Sequence, residues 1–235
     1  MQDQHLNHLV QRLTTAAGNN LLSVILHGSA VTGDFHPEFS DLNILCVVNE
    51  LSPAAMRALV PALNWWSAQK YPAPLFFTRA ELQAAADVFP IEMLDIKDQR
   101  RLLHGEDPFP QLQVSMALHR TQLERELRTK LLLLRQHYMS VAGDSARVRQ
   151  LLLNSVTNFL ALFRHALIAL GETAPQNKLE AARRLAPRAG FDPSPFERLL
   201  QVREGKLKAE QLNPDEAFDP YLLAIEKVIQ AVDSL

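Results

Sequence analysis

Apolar positions recur along this chain with two periods, and the change between them divides it. Across residues 4–16, Leu6, Leu9, Val10 and Leu13 follow helical spacing. LLSVIL at 21–26 and LNILCVV at 42–48 are instead short, continuous runs rich in aliphatic residues, the pattern of buried strands, and the first ends at Gly28. Ser52 followed by Pro53 caps and opens a helix predicted to reach about residue 69. PLFFT at 74–78 reads as a third strand, with IEMLDI at 91–96 and RRLLH at 100–104 as two more. Helices alternating with strands predict an α/β layer arrangement.

The pattern breaks at GEDPFPQ, 105–111, where a glycine and two prolines interrupt it. Beyond it the period is helical throughout. Helices are predicted over 112–141 and over 145–170, the latter stopped by Gly171. Others are expected from about Pro175 to Gly190, from the Pro193–Pro195 turn, and from Asn213 onward. The last has a cap, a first-turn proline and two acids, Asp215 and Glu216, at the positive end of its dipole. The expectation is an α+β two-domain chain: a mixed-sheet α/β domain over 1–107 and an all-helical bundle over 112–235. There is no internal repeat.

Composition narrows the function classes. Hydrophobic content of 47% with 21% charged residues is that of an ordinary globular protein. A net charge of −2 gives no general attraction for nucleic acid. Cys46 is the only cysteine, which excludes an internal disulfide and a cysteine metal cluster, and its run NILCVV marks it as a buried small hydrophobe. The N-terminus has no signal-peptide pattern, and apolar patches such as LLLL at 131–134 are too short for a bilayer. A cytoplasmic protein without a membrane partner is expected, with homo-oligomerisation left open.

Candidate chemistry concentrates in HGSAVTGDFHPEFSDLNILCVV, residues 27–48. Gly28-Ser29 follows a strand, Gly33 comes four residues after Ser29, and Ser40-Asp41-Leu42-Asn43 enters the next strand. With its strands and spacing, this stretch resembles the signature of the nucleotidyltransferase superfamily, the DNA polymerase beta-like fold shared with aminoglycoside nucleotidyltransferases. The resemblance covers roughly residues 5–105. It implies that Gly28, Ser29 and Gly33 hold the phosphates of a nucleoside triphosphate, and that positions 41 and 43 hold Mg²⁺. Glycine lets the backbone approach a phosphate closely, and the neighbouring amides and hydroxyl can bind its oxygens. Residues i and i+2 of a strand share a face, so Asp41 and Asn43 present their side chains together. In the family both are acids holding two Mg²⁺ ions that orient the triphosphate and activate an acceptor hydroxyl, and a third acid comes from a later strand.

Two departures matter. Asn43 replaces the second acid, and Ala73-Pro74-Leu75-Phe76-Phe77 contains none. Two divalent ions ~4 Å apart repel by roughly 16 kcal/mol at an effective dielectric of about 20. Asp41 and the triphosphate alone must offset that, so the expected metal is a single Mg²⁺ delivered with the nucleotide. Asp34, Glu38, Glu92 and Asp95 are the nearby acids. In a strand, Glu92 and Asp95 would face opposite sides. The resulting expectation is a nucleoside triphosphate–Mg²⁺ binder that, if active, moves a nucleoside monophosphate onto a hydroxyl of an unidentified acceptor. The alternative is a catalytically depleted module for sensing nucleotide or binding protein.

Other features have ordinary explanations beside sharper ones. His27 and His36 can touch phosphate, or cap a strand and sit in a loop. Trp65-Trp66 can stack a base, though core packing is simpler. Residues 111–150 carry seven basic side chains (Arg120, Arg125, Arg128, Lys130, Arg135, Arg147, Arg149) against Glu124, Glu126 and Asp144, an excess of four. A solvated face with i,i+4 pairs accounts for them as well as an anion site does. In two-domain relatives the helical domain covers the cleft and can supply a base, for which Glu124 and Glu126 are candidates. Arg164-His165 and Arg135-x-His137 resemble the Arg–His pairs of small helical ribonuclease-like domains, without their wider spacing.

Overall fold

The computed structural model describes residues 2–32 and 41–235, the side chain of Thr32 excepted. Gly33, Asp34, His36, Glu38 and Ser40 lie outside the described residues. The chain forms two compact units, one ending at Ala117 and the other running from Leu118 to Leu235.

The first unit is built on a four-stranded mixed sheet. Its strands are β1 (Leu21–His27), β2 (Asn43–Val48), β3 (Leu75–Thr78) and β4 (Arg100–Gly105), in the order β3-β2-β1-β4. β1 pairs antiparallel with β2 and β4, whereas β2 and β3 are parallel. The parallel pair needs a crossover, supplied by α3 (Pro53–Ala68), whose Ser52 side chain accepts from Ala55 N at 3.2 Å. α1 (Gln2–Ala17) and α3 cover one sheet face, where Leu6, Leu9 and Leu13 meet Val24, Leu26, Ile44, Cys46, Val48 and Trp66. The other face carries Ile25, Leu45 and Val47 against Leu82, Ala85, Met93, Ile96, Phe109 and Leu112. Burial pushes the Cys46 thiol well above its ordinary range, as expected of a core hydrophobe.

Two helices on that second face depart from the expected pattern. α4 (Arg79–Val88) was not expected, although its start is written in Thr78-Arg79-Ala80-Glu81. The Thr78 hydroxyl accepts from Glu81 N while Glu81 accepts from Thr78 N, a reciprocal capping box. Those bonds hold the Glu81 carboxyl below its usual range. Residues 91–96 are not a strand but part of α5 (Pro90–Asp98). Pro90 sets the first helical φ, and Met93 and Ile96 bury one face at a spacing of three. Glu92 and Asp95, also three apart, therefore share a helix face rather than opposing each other.

The second unit consists of α6 (His119–Val141), α7 (Ser145–Ala169), α8 (Lys178–Ala189), α9 (Ser194–Arg203) and α10 (Pro214–Asp233). α6 starts seven residues later than its apolar pattern suggests. Leu112 belongs to the first unit's core, where its carbonyl accepts from Lys97 Nζ at 2.7 Å. α7 contacts every other helix of the bundle. It is long and apolar enough by composition to cross a membrane, contrary to the expectation that no such stretch exists, but most of that stretch is buried inside the helical unit.

Candidate functional site

The site forms where β1 and β2 meet. Gly28 takes φ +78°, a left-handed turn natural to glycine, and α2 (Ser29–Thr32) is a single helical turn closed by Val31 N donating to Gly28 O at 2.9 Å. His27 stands opposite Asn43 on β2 and opposite Arg100 on β4. Residues directly paired across strands share a face. Arg100, His27 and Asn43 therefore form a row at the end of the sheet, on the face covered by α5.

Asn43 lies against the turn, since a Cβ placed on Gly28 would stand 3.2 Å from its Nδ2. Asp41 is exposed and precedes Leu42, which is buried in the α1/α3 core. Asp41 itself stands two residues before β2 begins. Gly28, Ser29, Asp41 and Asn43 occupy the ends of two adjacent strands.

His27 was a sequence candidate for touching phosphate, but Arg100 was not, because local patterning does not reveal that β4 lies beside β1. Arg100 is held by Asp107, whose Oδ2 accepts from Nη2 at 2.7 Å, and its guanidinium lies over the Phe109 ring. Asp107 itself is held below the usual carboxylate range: partial burial opposes this, but the Arg100 and Phe109 N–H donors outweigh it. Among the described residues, the Nε2 of His27 is enclosed without a hydrogen-bond partner. Burial pushes His27 down to about 4, with the charge of Asp95 pulling it partly back up.

That shift predicts a pH dependence. The unfolded imidazole, near 6.5, takes a proton before the folded one, so stability rests on neutral His27 above about pH 6.5 and is lost as pH falls toward 4. The ceiling is about 3 kcal/mol. In urea unfolding, the stability difference between wild type and His27→Gln should shrink across that window. A difference independent of pH would refute it.

The donor set among the described residues does not fit a pair of Mg²⁺ ions. Asn43 brings no charge, β3 has no acid, and among the described residues no three His, Cys, Asp or Glu side chains cluster closely enough to hold a metal.

Most of the remaining candidates have structural partners. Trp66 is fully buried, its Nε1 donating to Pro72 O at 2.8 Å, and Trp65 packs against His5, His8 and the Arg12 guanidinium. Glu124 accepts from Arg128 at 2.7 Å, Glu126 pairs with Lys130, and Arg135 pairs with Glu226. Much of the basic stretch is thus taken up in helix-surface pairs. Arg164 and His165 are buried: Arg164 donates to Pro175 O at 2.8 Å, and His165 Nδ1 lies 3.0 Å from His119 Nε2.

No protein-family profile matches the chain, and no curated protein matches it in sequence. Its structure is similar to that of a spectinomycin adenyltransferase from Enterococcus faecialis, solved with ATP and spectinomycin, with a TM-score of 0.61 over 98% of both chains at 16% identity. The likeness is one of fold. This is an α+β two-domain, nucleotidyltransferase-like architecture.

Proposed function

We propose that the first unit binds a nucleoside triphosphate at the Gly28–Ser29 turn, and that the protein is a catalytically depleted nucleotide-binding member of this fold. The observation carrying this reading is the turn itself: a left-handed glycine ending β1, with the amide of Asn43 laid against it. A phosphate can approach such a backbone closely. The similar structure's bound ATP supports the choice of ligand class. Depletion follows from Asn43 and the acid-free β3: among the described residues, the carboxylates near the strand ends include Asp41 and, on α5, Asp95, whose charge reaches His27.

A second reading, transfer of a nucleoside monophosphate to an acceptor hydroxyl with one Mg²⁺ brought by the nucleotide, draws on Asp41. It remains exposed just before β2. Under that reading Asp41→Ala abolishes transfer and Asn43→Asp raises it.

Calorimetric titration of ATP, GTP, CTP and UTP tests the proposal. Gly28→Ala forces a side chain into the left-handed region and toward Asn43 Nδ2, at a stability cost of about 1–2 kcal/mol. The protein should still fold, and nucleotide affinity should fall by about tenfold or more. Wild type that binds none of the four nucleotides would sink the reading.

A further inference from the structure

In an acid-based centre, carboxylates repel phosphate, and a divalent cation must stand between them. Here the polarity of the sheet end is different. Across β4, β1 and β2 the row reads guanidinium, imidazole, carboxamide. Arg100 is already satisfied by Asp107, and its neighbour His27 carries no negative charge. Asn43 is the group nearest the turn, and its side chain makes no hydrogen bond among the described residues. An amide N–H donates to a phosphate oxygen with no cation as intermediary. Asp41 is exposed, so water screens its repulsion.

We infer that the Gly28 turn takes a phosphate group directly, with the Asn43 side-chain amide as the donor standing where the family's pattern calls for a metal-bound acid. The inference rests on the nucleotide-binding reading for its ligand class, the phosphate chain of a nucleoside triphosphate. It goes beyond that reading in stating that binding does not depend on a divalent ion. Replacement of the acid at 43 then changes how the anion is held, from metal-bridged to directly hydrogen-bonded.

The test is calorimetry on the full chain with ATP and, separately, inorganic triphosphate, each in excess EDTA and in excess Mg²⁺. Wild type should bind ATP with dissociation constants that agree within about threefold between the two conditions. Asn43→Asp should bind about tenfold or more weakly in EDTA and recover with Mg²⁺, because a hydrogen bond to a charged group has been replaced by repulsion. Asn43→Ala, which removes the donor without adding charge, should weaken binding in both conditions. Circular dichroism establishes that each variant is folded. Perturbation of the Asn43 side-chain amide resonance by ATP in EDTA gives a readout independent of affinity. Wild-type binding that requires Mg²⁺ would overturn the inference while leaving the nucleotide-binding proposal standing. Triphosphate binding in EDTA without ATP binding would do the reverse. Binding of neither ligand in either condition would overturn both.

Discussion

Gly105→Ala should destabilise the first unit by on the order of 3–5 kcal/mol, far more than an ordinary glycine-to-alanine change. Gly105 has φ +77°, which costs an alanine about 1–2 kcal/mol. The larger effect is steric, because the new Cβ would lie 1.7 Å from Leu22 O and 2.8 Å from Leu22 C. Both are backbone atoms of β1, so no side-chain rotation relieves the overlap. The end of β4 has to leave β1. That breaks the Ser23–Gly105 pairing and strands the Ser23 hydroxyl, which is 2% exposed and donates to Glu106 O. Both tryptophans lie in α3, so intrinsic fluorescence follows this unit. The midpoint should drop by roughly 10–20 °C. Gly18→Ala is the control: its φ is +53° with nothing within 4 Å of the added Cβ, so only the conformational cost applies. Equal effects from the two substitutions would refute the steric account.

Gly105 also shows how far sequence reasoning reached. Together with Pro108 and Pro110 it reads as a break in pattern, and a strand does end there. That the break is also a point of close backbone approach depends on β4 pairing with β1, across some eighty residues of chain. The strands themselves were legible because aliphatic runs such as Leu21–Leu26 and Ile44–Val48 are buried on both sheet faces. Residues 91–96 defeated the same logic, since a six-residue segment with four apolar positions fits either period, and Pro90 before it was the cue for a helix. The start of α6 was misplaced for a related reason: Leu112 keeps an apolar rhythm while packing on another unit's core.

The site was half legible. Gly28, Ser29, Asp41 and Asn43 are marked by local spacing, although β2 begins only at Asn43 and leaves Asp41 ahead of it. His27 and Arg100 join Asn43 only through the antiparallel pairings of β1, which no local motif encodes. The consequence of Asn43 likewise needed the geometry. Sequence shows a missing charge, whereas structure shows an amide against the turn.

Tyr221→Ala should cost the helical unit about 3–5 kcal/mol, the range for removing a fully buried aromatic side chain. Tyr221 is completely enclosed, with its ring centroid 4.8 Å from Phe196 and 6.0 Å from Phe159, edge-on to the latter. Those partners come from α9 and α7, so one ring of α10 joins three helices. Truncation leaves a void lined by rigid rings on elements that cannot all close in. The hydroxyl contributes less. It lies 2.9 Å from Ser155 Oγ, but that serine also donates to Leu152 O at 3.1 Å and is left with a partner when the phenol oxygen is removed. Tyr221→Phe should therefore cost about 1 kcal/mol. Burial also pushes the phenol above its ordinary range, so the hydroxyl stays protonated through the pH range in which an exposed tyrosine ionises. Denaturant unfolding followed by far-UV circular dichroism, which this helical unit dominates, separates the two contributions. If Tyr221→Phe proved as damaging as Tyr221→Ala, the hydroxyl rather than the three-helix packing would be holding the bundle together.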